Sequence, residues 1–305
     1  MISTLLSIIF VYLFIALGFL AKQLFRERID SKTLTITSLF FLQPFVSVWG
    51  FSSAPLSASQ LYAPLIYLAI IVSLLIPNIL LAKVLFRNPK ERAIYTIAGF
   101  VGNTGNIGIP LGIALFGESS VIYTTLINIA NVLVVYTLGV YIYSRGSFGV
   151  KESLLNIVKI PIIPASAVAI TINISGIELS AQIKEFLKMG AYSGIVIQLF
   201  LLGTFLESIK IKKLNTKLLT LVLTHKFLLI PLTTAALLYF LNLPPMVKGV
   251  IFIQMLTPLA VANINLSSLY DCQPQDVTAL ILFSTLLFMP ILALFATFGF
   301  SFTVI

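Results

Sequence analysis

The residues with the most chemistry to offer lie in one segment of an otherwise apolar chain, Gly102-Asn103-Thr104-Gly105-Asn106-Ile107-Gly108-Ile109-Pro110. Within a helix, a proline removes a backbone hydrogen bond and clashes with the preceding turn, while glycine adds flexibility. The segment therefore predicts a broken helix that exposes backbone groups beside the amides of Asn103 and Asn106. Since these two residues lie three positions apart, one helical turn would place both amides on the same side.

A second segment, Thr257-Pro258-Leu259-Ala260-Val261-Ala262-Asn263-Ile264-Asn265, repeats this combination of a proline and two asparagines. We expect Pro258 to interrupt a second helix, with Asn263 beside the break. Paired interrupted helices are typical of transporter sites, because half-helix N-termini carry free N–H groups and a partial positive charge that suit an anion. The alternative is that both interruptions serve helix packing alone, since Gly and Pro are common in transmembrane helices.

The composition indicates the class of protein that holds these segments. Hydrophobic residues make up 59% of the 305 residues and charged residues only 10%, whereas a soluble domain carries about 25% charged residues. A membrane-spanning helix needs about 20 mostly apolar residues. On this criterion the sequence predicts ten spans, at residues 3–21, 33–51, 61–82, 93–117, 119–143, 154–174, 189–207, 217–241, 246–269 and 276–301.

The basic residues predict how the spans are oriented. Of the 19 Lys and Arg residues, fifteen fall in the connections between spans 1 and 2, 3 and 4, 5 and 6, and 7 and 8. By the positive-inside rule these odd-numbered connections are cytoplasmic, so both termini lie outside a plasma or inner membrane. The net charge of +9 then belongs to cytoplasmic loops, and no nucleic-acid partner is expected.

Ten spans divide into two halves of five, residues 1–150 and 151–305. Because five is odd, homologous halves must insert with opposite topology, which is the inverted-repeat plan of many secondary transporters. Two short matches at nearly equal spacing support this division: Leu74-Leu75-Ile76-Pro77 matches Leu228-Leu229-Ile230-Pro231, and Gln43 corresponds to Gln198. The predicted fold class is therefore an all-α polytopic membrane protein with inverted repeats and broken spans 4 and 9.

Several other polar residues inside the spans each allow two interpretations. Lys226 could extend its ammonium to the inner headgroups, or it could add positive charge to an anion path with His225 as a proton relay. Gln43 and Gln198 could line a cavity or bond a neighbouring helix. Asn128 and Asn131, which share one face of span 5, are expected to brace the break in span 4 by hydrogen bonds.

The sequence favours neither an enzyme nor a metalloprotein. It contains one cysteine, Cys272, which cannot form an internal disulfide or a thiolate cluster. A Walker motif, an HExxH motif and a nucleophile elbow are all missing from the sequence. We therefore expect no catalytic residues, no metal and no cofactor.

The span 4 segment resembles the auxin efflux carrier family, and Pro44, Lys226 with Pro231, and the Pro258 break agree with it. The resemblance implies a fold like the bile-acid symporters and NhaA-type antiporters, in which spans 1, 2, 6 and 7 form a scaffold. Spans 3–5 and 8–10 would form a transport domain in which broken spans 4 and 9 cross. In the family this crossover lines the substrate pocket, so the resemblance assigns substrate binding to Asn103, Asn106, Pro110, Pro258 and Asn263.

The predicted function is secondary-active efflux or exchange of a small organic anion, such as a carboxylate, by alternating access at the crossover. The alternatives are a sodium-coupled organic-anion symporter and a membrane-embedded ligand sensor that moves nothing. The expected partners are the organic anion and the lipid bilayer, and a homodimer is left open.

The orientation has a direct test. Because basic residues concentrate in the odd-numbered connections, cysteines introduced at the two ends of the chain should react with a membrane-impermeant reagent added from outside the cell. Labelling of both ends only from the cytoplasmic side would contradict the predicted span count or orientation.

Overall fold

A computed structural model describes residues 2–52, 61–147, 149, 151, 152, 155, 159, 161–206 and 214–297. In chain order its helices are α1 (Ile2–Phe25), α2 (residues 31–52), α3 (Tyr62–Leu85), α4 (Pro89–Ile97), α5 (residues 104–116), α6 (residues 121–144), α7 (Ile162–Ile174), α8 (Ala181–Leu206), α9 (residues 216–240), α10 (Pro245–Leu256), α11 (Ala262–Leu269) and α12 (Pro274–Thr297). Predicted spans 4 and 9 correspond to two helices each, α4 with α5 and α10 with α11.

Four of these helices contain a π-helical turn, at Thr37–Leu42 in α2, Thr104–Gly108 in α5, Val135–Gly139 in α6 and His225–Leu229 in α9. Three of the four turns end two residues before a proline, namely Pro44, Pro110 and Pro231. A proline inside a helix clashes with the carbonyl four residues earlier, and that carbonyl lies within each of these three turns. The widened turn therefore accommodates the proline without ending the helix.

The described helices have the length and composition of membrane spans. Five are long and apolar enough to cross a bilayer: Tyr62–Leu85, Ile122–Ser144, Ala181–Leu206, Thr216–Phe240 and Pro274–Leu292. Pro164–Ile174 and Pro245–Leu256 are shorter apolar helices. The prediction of an all-α, multi-pass membrane protein is confirmed, while the count of ten spans stays a prediction.

The helices pack in two groups. Helix α1 packs along α8, and α2 packs against both α7 and α8. At the crossing of α1 and α8, a Cβ on Gly18 or Gly203 would come closer than 3.0 Å to the backbone of the other helix, so only glycine permits this contact. In the second group, α6 contacts α3, α4, α5 and α10, while α12 contacts α9 and α11.

The odd-numbered connections meet at one end of the molecule. The contacts are Lys90 Nζ to Asp271 Oδ2 at 2.8 Å, Ser147 Oγ to the Tyr270 carbonyl at 3.1 Å, and Asn215 N to Asp276 Oδ1 at 3.0 Å. Residues at the even-numbered connections contact one another instead: Tyr62 with Tyr123, Ser119 with Met246, and Trp49 with Tyr192. This arrangement agrees with a chain that alternates between two membrane faces.

Three helices begin at the odd-numbered end with side-chain caps. Asp30, Asn88 and Asn215 precede α2, α4 and α9, and each side chain accepts a hydrogen bond from a backbone N–H of the first turn. The hydroxyl of Thr33, together with the N–H groups of Lys32 and Thr33, lowers the pKa of the Asp30 carboxyl. The caps fix where these helices start.

Candidate functional site

Two interruptions of the helices lie in predicted spans 4 and 9. Helix α4 ends at Ile97 and α5 begins at Thr104, which leaves the span 4 interruption at residues 98–103. Helix α10 ends at Leu256 and α11 begins at Ala262, which leaves the span 9 interruption at residues 257–261. The span 4 interruption therefore begins earlier than the proline suggested, because Pro110 follows a widened turn within α5 and does not end a helix.

The two interruptions hydrogen-bond to each other through their backbones. The N–H of Asn103 donates to the carbonyl of Pro258 at 2.8 Å, and the N–H of Ala260 donates to the carbonyl of Val101 at 2.8 Å. These bonds form an isolated antiparallel bridge, the one β-type pairing among the described residues. Polar backbone that has left a helix is thus satisfied inside the protein, as a membrane environment requires.

Asn131 of α6 braces the span 4 interruption. Its Nδ2 donates to the carbonyl of Gly102 at 2.8 Å, and its Oδ1 accepts from the Tyr67 hydroxyl at 3.0 Å. Asn128, one turn earlier, accepts from the hydroxyl of Thr104 at 2.8 Å. The predicted brace from Asn128 and Asn131 is therefore confirmed.

Asn263 of α11 makes the corresponding contacts from the other side of the bridge. Its Nδ2 lies 3.1 Å from the carbonyls of both Val101 and Ala260, and its Oδ1 accepts from the Tyr143 hydroxyl at 2.9 Å. The side chain is fully buried. In this structure both amide atoms of Asn263 are therefore bonded within the protein.

Lys226 lies where the first halves of both interrupted spans end. The residue is 2% exposed, and its Nζ donates to the carbonyls of Gly99 and Met255 at 3.0 Å each. Gly99 follows the C-terminus of α4, and Met255 is in the last turn of α10. The interpretation that this lysine extends to the headgroups is wrong, because its ammonium is buried between two helix C-termini, whose carbonyls carry partial negative charge.

His225 is also buried, at 4% exposed, and packs between aromatic rings. Its ring lies 5.7 Å from that of Tyr95 and 5.2 Å from that of Phe100, measured between centroids. Its Nδ1 has no hydrogen-bond partner in the described ranges of the chain. The contacts are those of a packed aromatic residue, and its role as a proton relay stays a prediction.

The three glycines of the span 4 segment each face a polar side chain from a neighbouring helix or interruption. A Cβ built on these glycines would lie within about 3 Å of an oxygen of that side chain, in the pairs Gly102 with Thr257, Gly105 with Asn128, and Gly108 with Gln254. Any larger residue would push the polar group away. Because these glycines lack a side chain, an oxygen of a neighbouring side chain can pack directly against the backbone at each of them. This is a packing reason for the spacing of the three glycines.

Gln43 of α2 and Gln198 of α8 both contact the hydroxyl of one tyrosine. Gln43 Oε1 accepts from the Tyr136 hydroxyl at 3.3 Å, and the Gln198 side chain hydrogen-bonds the same hydroxyl. Tyr136 of α6 thereby links α2 to α8. The structure shows the helix-bonding alternative for both glutamines, and their contact with a substrate stays a prediction.

The remaining site predictions are placed as follows. Asn103 and Pro258 contribute backbone groups to the bridge. The backbone of Asn106 and Pro110 lies in α5, but their side chains are outside the described part of the structure. Gln254 was not predicted as a site residue, although a glutamine within an apolar run of span 9 was the signal that could have revealed it.

Comparison with known proteins shows similarity to membrane transporters. A family model described as "Membrane transport protein" matches residues 3–296. An uncharacterized transporter of Methanocaldococcus jannaschii is 23% identical to this chain over 218 residues, which cover 70% of this chain and 71% of that relative.

The brace by Asn131 can be tested with a double-mutant cycle. Asn131→Leu leaves the Gly102 carbonyl and the Tyr67 hydroxyl without partners, so we expect it to lower the free energy of unfolding by about 1–3 kcal/mol. Tyr67→Phe should cost less in the Asn131→Leu background than in the wild type, because the bond it removes is already lost. Unfolding of the purified protein in detergent measures both effects.

Thr171→Val is the matched control, since the exposed Thr171 hydroxyl bonds to a carbonyl of its own helix. This variant should unfold like the wild type. Additive effects of the Asn131 and Tyr67 substitutions would contradict a shared hydrogen bond.

Proposed function

Since the chain belongs to the membrane transport protein family that includes the auxin efflux carriers, we propose that it is a secondary carrier of a small organic anion. The anion would bind at the paired interruptions and cross the membrane by alternating access, in efflux or exchange. The observation that carries this proposal is the position of Lys226, whose ammonium donates to carbonyls at the ends of both α4 and α10.

The charge distribution around the interruptions favours an anion. Four half-helix ends meet here, and the C-termini of α4 and α10 carry partial negative charge. Lys226 compensates both of them. The N-termini of α5 and α11 are left with partial positive charge and with first-turn N–H groups that have no partner within their helices. Such helix N-termini bind carboxylates and phosphates.

The proposed substrate contacts come from both interruptions. Asn103, directly before α5, and Asn106, in its first turn, would donate their amides to the carboxylate at the N-terminus of this helix. Pro258 and Asn263 would hold the second interruption in place, and Pro110 would keep the α5 turn wide. Gln43 and Gln198, which meet at Tyr136, would line the route between the two groups of helices. His225, beside Lys226, is the candidate proton relay.

We further propose ten spans in two inverted halves, with spans 1, 2, 6 and 7 as scaffold and the others as a transport domain that includes the crossing of spans 4 and 9. The mutual packing of α1, α2, α7 and α8 supports the scaffold. The meeting of the odd-numbered connections at one end supports spans that alternate in direction between two membrane faces. The positive-inside rule would then place both termini outside the cell membrane.

A flux assay tests the proposal as a whole. The purified protein in proteoliposomes should move a labelled carboxylate from a panel of small mono- and dicarboxylates, under imposed pH or sodium gradients. Stimulation by sodium alone would favour the symporter alternative. Saturable binding of a carboxylate with no flux under any gradient would contradict a carrier and favour a ligand sensor.

Lys226→Gln should lower carboxylate flux while leaving the amount of protein in the membrane unchanged. The glutamine keeps a donor for one of the two carbonyls but removes the positive charge from both helix ends. Lys217→Gln is the matched control, because Lys217 also donates to a helix-end carbonyl, that of Leu85, but at the exposed end of the molecule. Equal flux in both variants would contradict the role of the charge.

Asn103→Ala and Asn106→Ala should each weaken carboxylate binding by about ten- to a hundred-fold. The estimate follows from the loss of one hydrogen bond to a charged group, worth roughly 1.5–3 kcal/mol. Asn242→Ala, at an exposed position before α10, is the control and should bind as the wild type does. Native affinity in both test variants, once they are shown to fold and insert, would exclude the interruptions as the site.

A further inference from the structure

Gln254, in the last turns of α10, is a buried amide that bonds to none of the described residues. The residue is 0% exposed, and neither Oε1 nor Nε2 has a hydrogen-bond partner within the part of the chain that the structure describes. Its backbone carbonyl, in contrast, accepts from the Thr257 hydroxyl at 2.8 Å. The main chain at this point is therefore satisfied, and the unmet hydrogen-bonding capacity belongs to the side chain alone.

The side chain of Gln254 lies against the N-terminal part of α5. Its Oε1 faces Gly108 so closely that a Cβ on that glycine could not be accommodated. Gly108 ends the π-helical turn that opens α5, so the amide lies about one helical turn, roughly 5 Å, from the N-terminus of that helix. An unpartnered amide and a helix N-terminus thus lie next to each other.

A buried amide with both atoms unbonded is costly and rare in folded proteins. The neighbouring amides show the ordinary outcome, since Asn131 and Asn263 bond with both of their side-chain atoms. Among the described residues, Asn265 in the first turn of α11 is the other fully buried amide with neither atom bonded. The two unpartnered amides therefore flank the span 9 interruption, one on each side.

We propose that Gln254 is a substrate-contacting residue that selects anions carrying a hydroxyl or another hydrogen-bond donor beside the carboxylate. This inference rests on the proposed anion carrier. The carboxylate of the substrate would bind at the N-terminus of α5, and the Gln254 amide would contact the remainder of the substrate. Gln254 offers one acceptor, Oε1, and one donor group, Nε2, so a hydroxyl, which both donates and accepts, satisfies the side chain.

Selection of this kind follows from the cost of leaving buried polar groups unpaired. A site built to bond a hydroxyl rejects an analogue without one, because the amide then stays unsatisfied in the complex. A purely apolar wall would discriminate little between the two ligands. Gly108 is part of the same site, since its missing side chain gives the amide its place against α5.

The test compares ligand pairs that differ only in a hydroxyl group: lactate with propionate, and malate with succinate. Binding of each acid to the purified full-length protein is measured by calorimetry for the wild type and for Gln254→Leu. The wild type should bind the hydroxylated member of at least one pair about ten-fold more tightly. Gln254→Leu should lose this preference while still binding the unsubstituted acid.

The control is Thr234→Val, which removes the hydroxyl of a fully buried residue in α9 whose Oγ1 has no partner among the residues the structure describes. This variant should keep the ligand preference. The unfolding temperature of each ligand-free variant is measured alongside, and Gln254→Leu should be at least as stable as the wild type because it replaces an unpaired amide with an apolar group.

The possible results separate the role of Gln254 from the proposed anion carrier. A hydroxyl preference that survives in Gln254→Leu, or a wild type that binds both members of each pair equally, would overturn the role of Gln254 and leave the anion carrier standing. Failure of the wild type to bind any of the four acids would overturn the role of Gln254 together with the carrier of small carboxylates.

Discussion

The structure depends on one constraint, which is that backbone polar groups released from a helix inside a membrane must find partners within the protein. Two spans stop being helical at residues 98–103 and 257–261. The interruptions satisfy each other through two short backbone bonds. Asn131, Asn263 and Lys226 take the carbonyls that remain near the bridge. Neither interruption could exist alone in this form, so each break in the sequence requires the other.

Charge follows from the same geometry. Where two interrupted helices meet, two C-terminal ends with partial negative charge and two N-terminal ends with partial positive charge come together. The ammonium of Lys226 is committed to the negative pair by two hydrogen bonds. Two of its three N–H donors are therefore already used, while its positive charge still acts on the site. In the proposed carrier, an anion would meet N–H and amide donors in place of a contact ion pair, which allows binding and later release.

Much of the fold could be predicted from the sequence, because its features are local. The length of the apolar segments indicated the spans, and the combination of Asn, Gly and Pro indicated which two spans are interrupted. The exact residues of the break could not be predicted, since Pro110 can be absorbed by a widened turn as well as end a helix. The contact of Lys226 with Gly99 and Met255 was also beyond the sequence, because it joins three separate spans and depends on the tertiary fold.

The buried amides show why composition alone could not separate structure from function. Asn131, Asn263 and Gln254 are all amide side chains in apolar segments, and nothing in their neighbours along the chain distinguishes them. Their roles divide only when partners are counted: the two asparagines use both amide atoms on backbone and tyrosine groups, whereas Gln254 uses neither. An amide that braces the bridge already has both its oxygen and its nitrogen bonded within the protein. Of these three residues, Gln254 is therefore the one whose two amide atoms are both still available to a ligand.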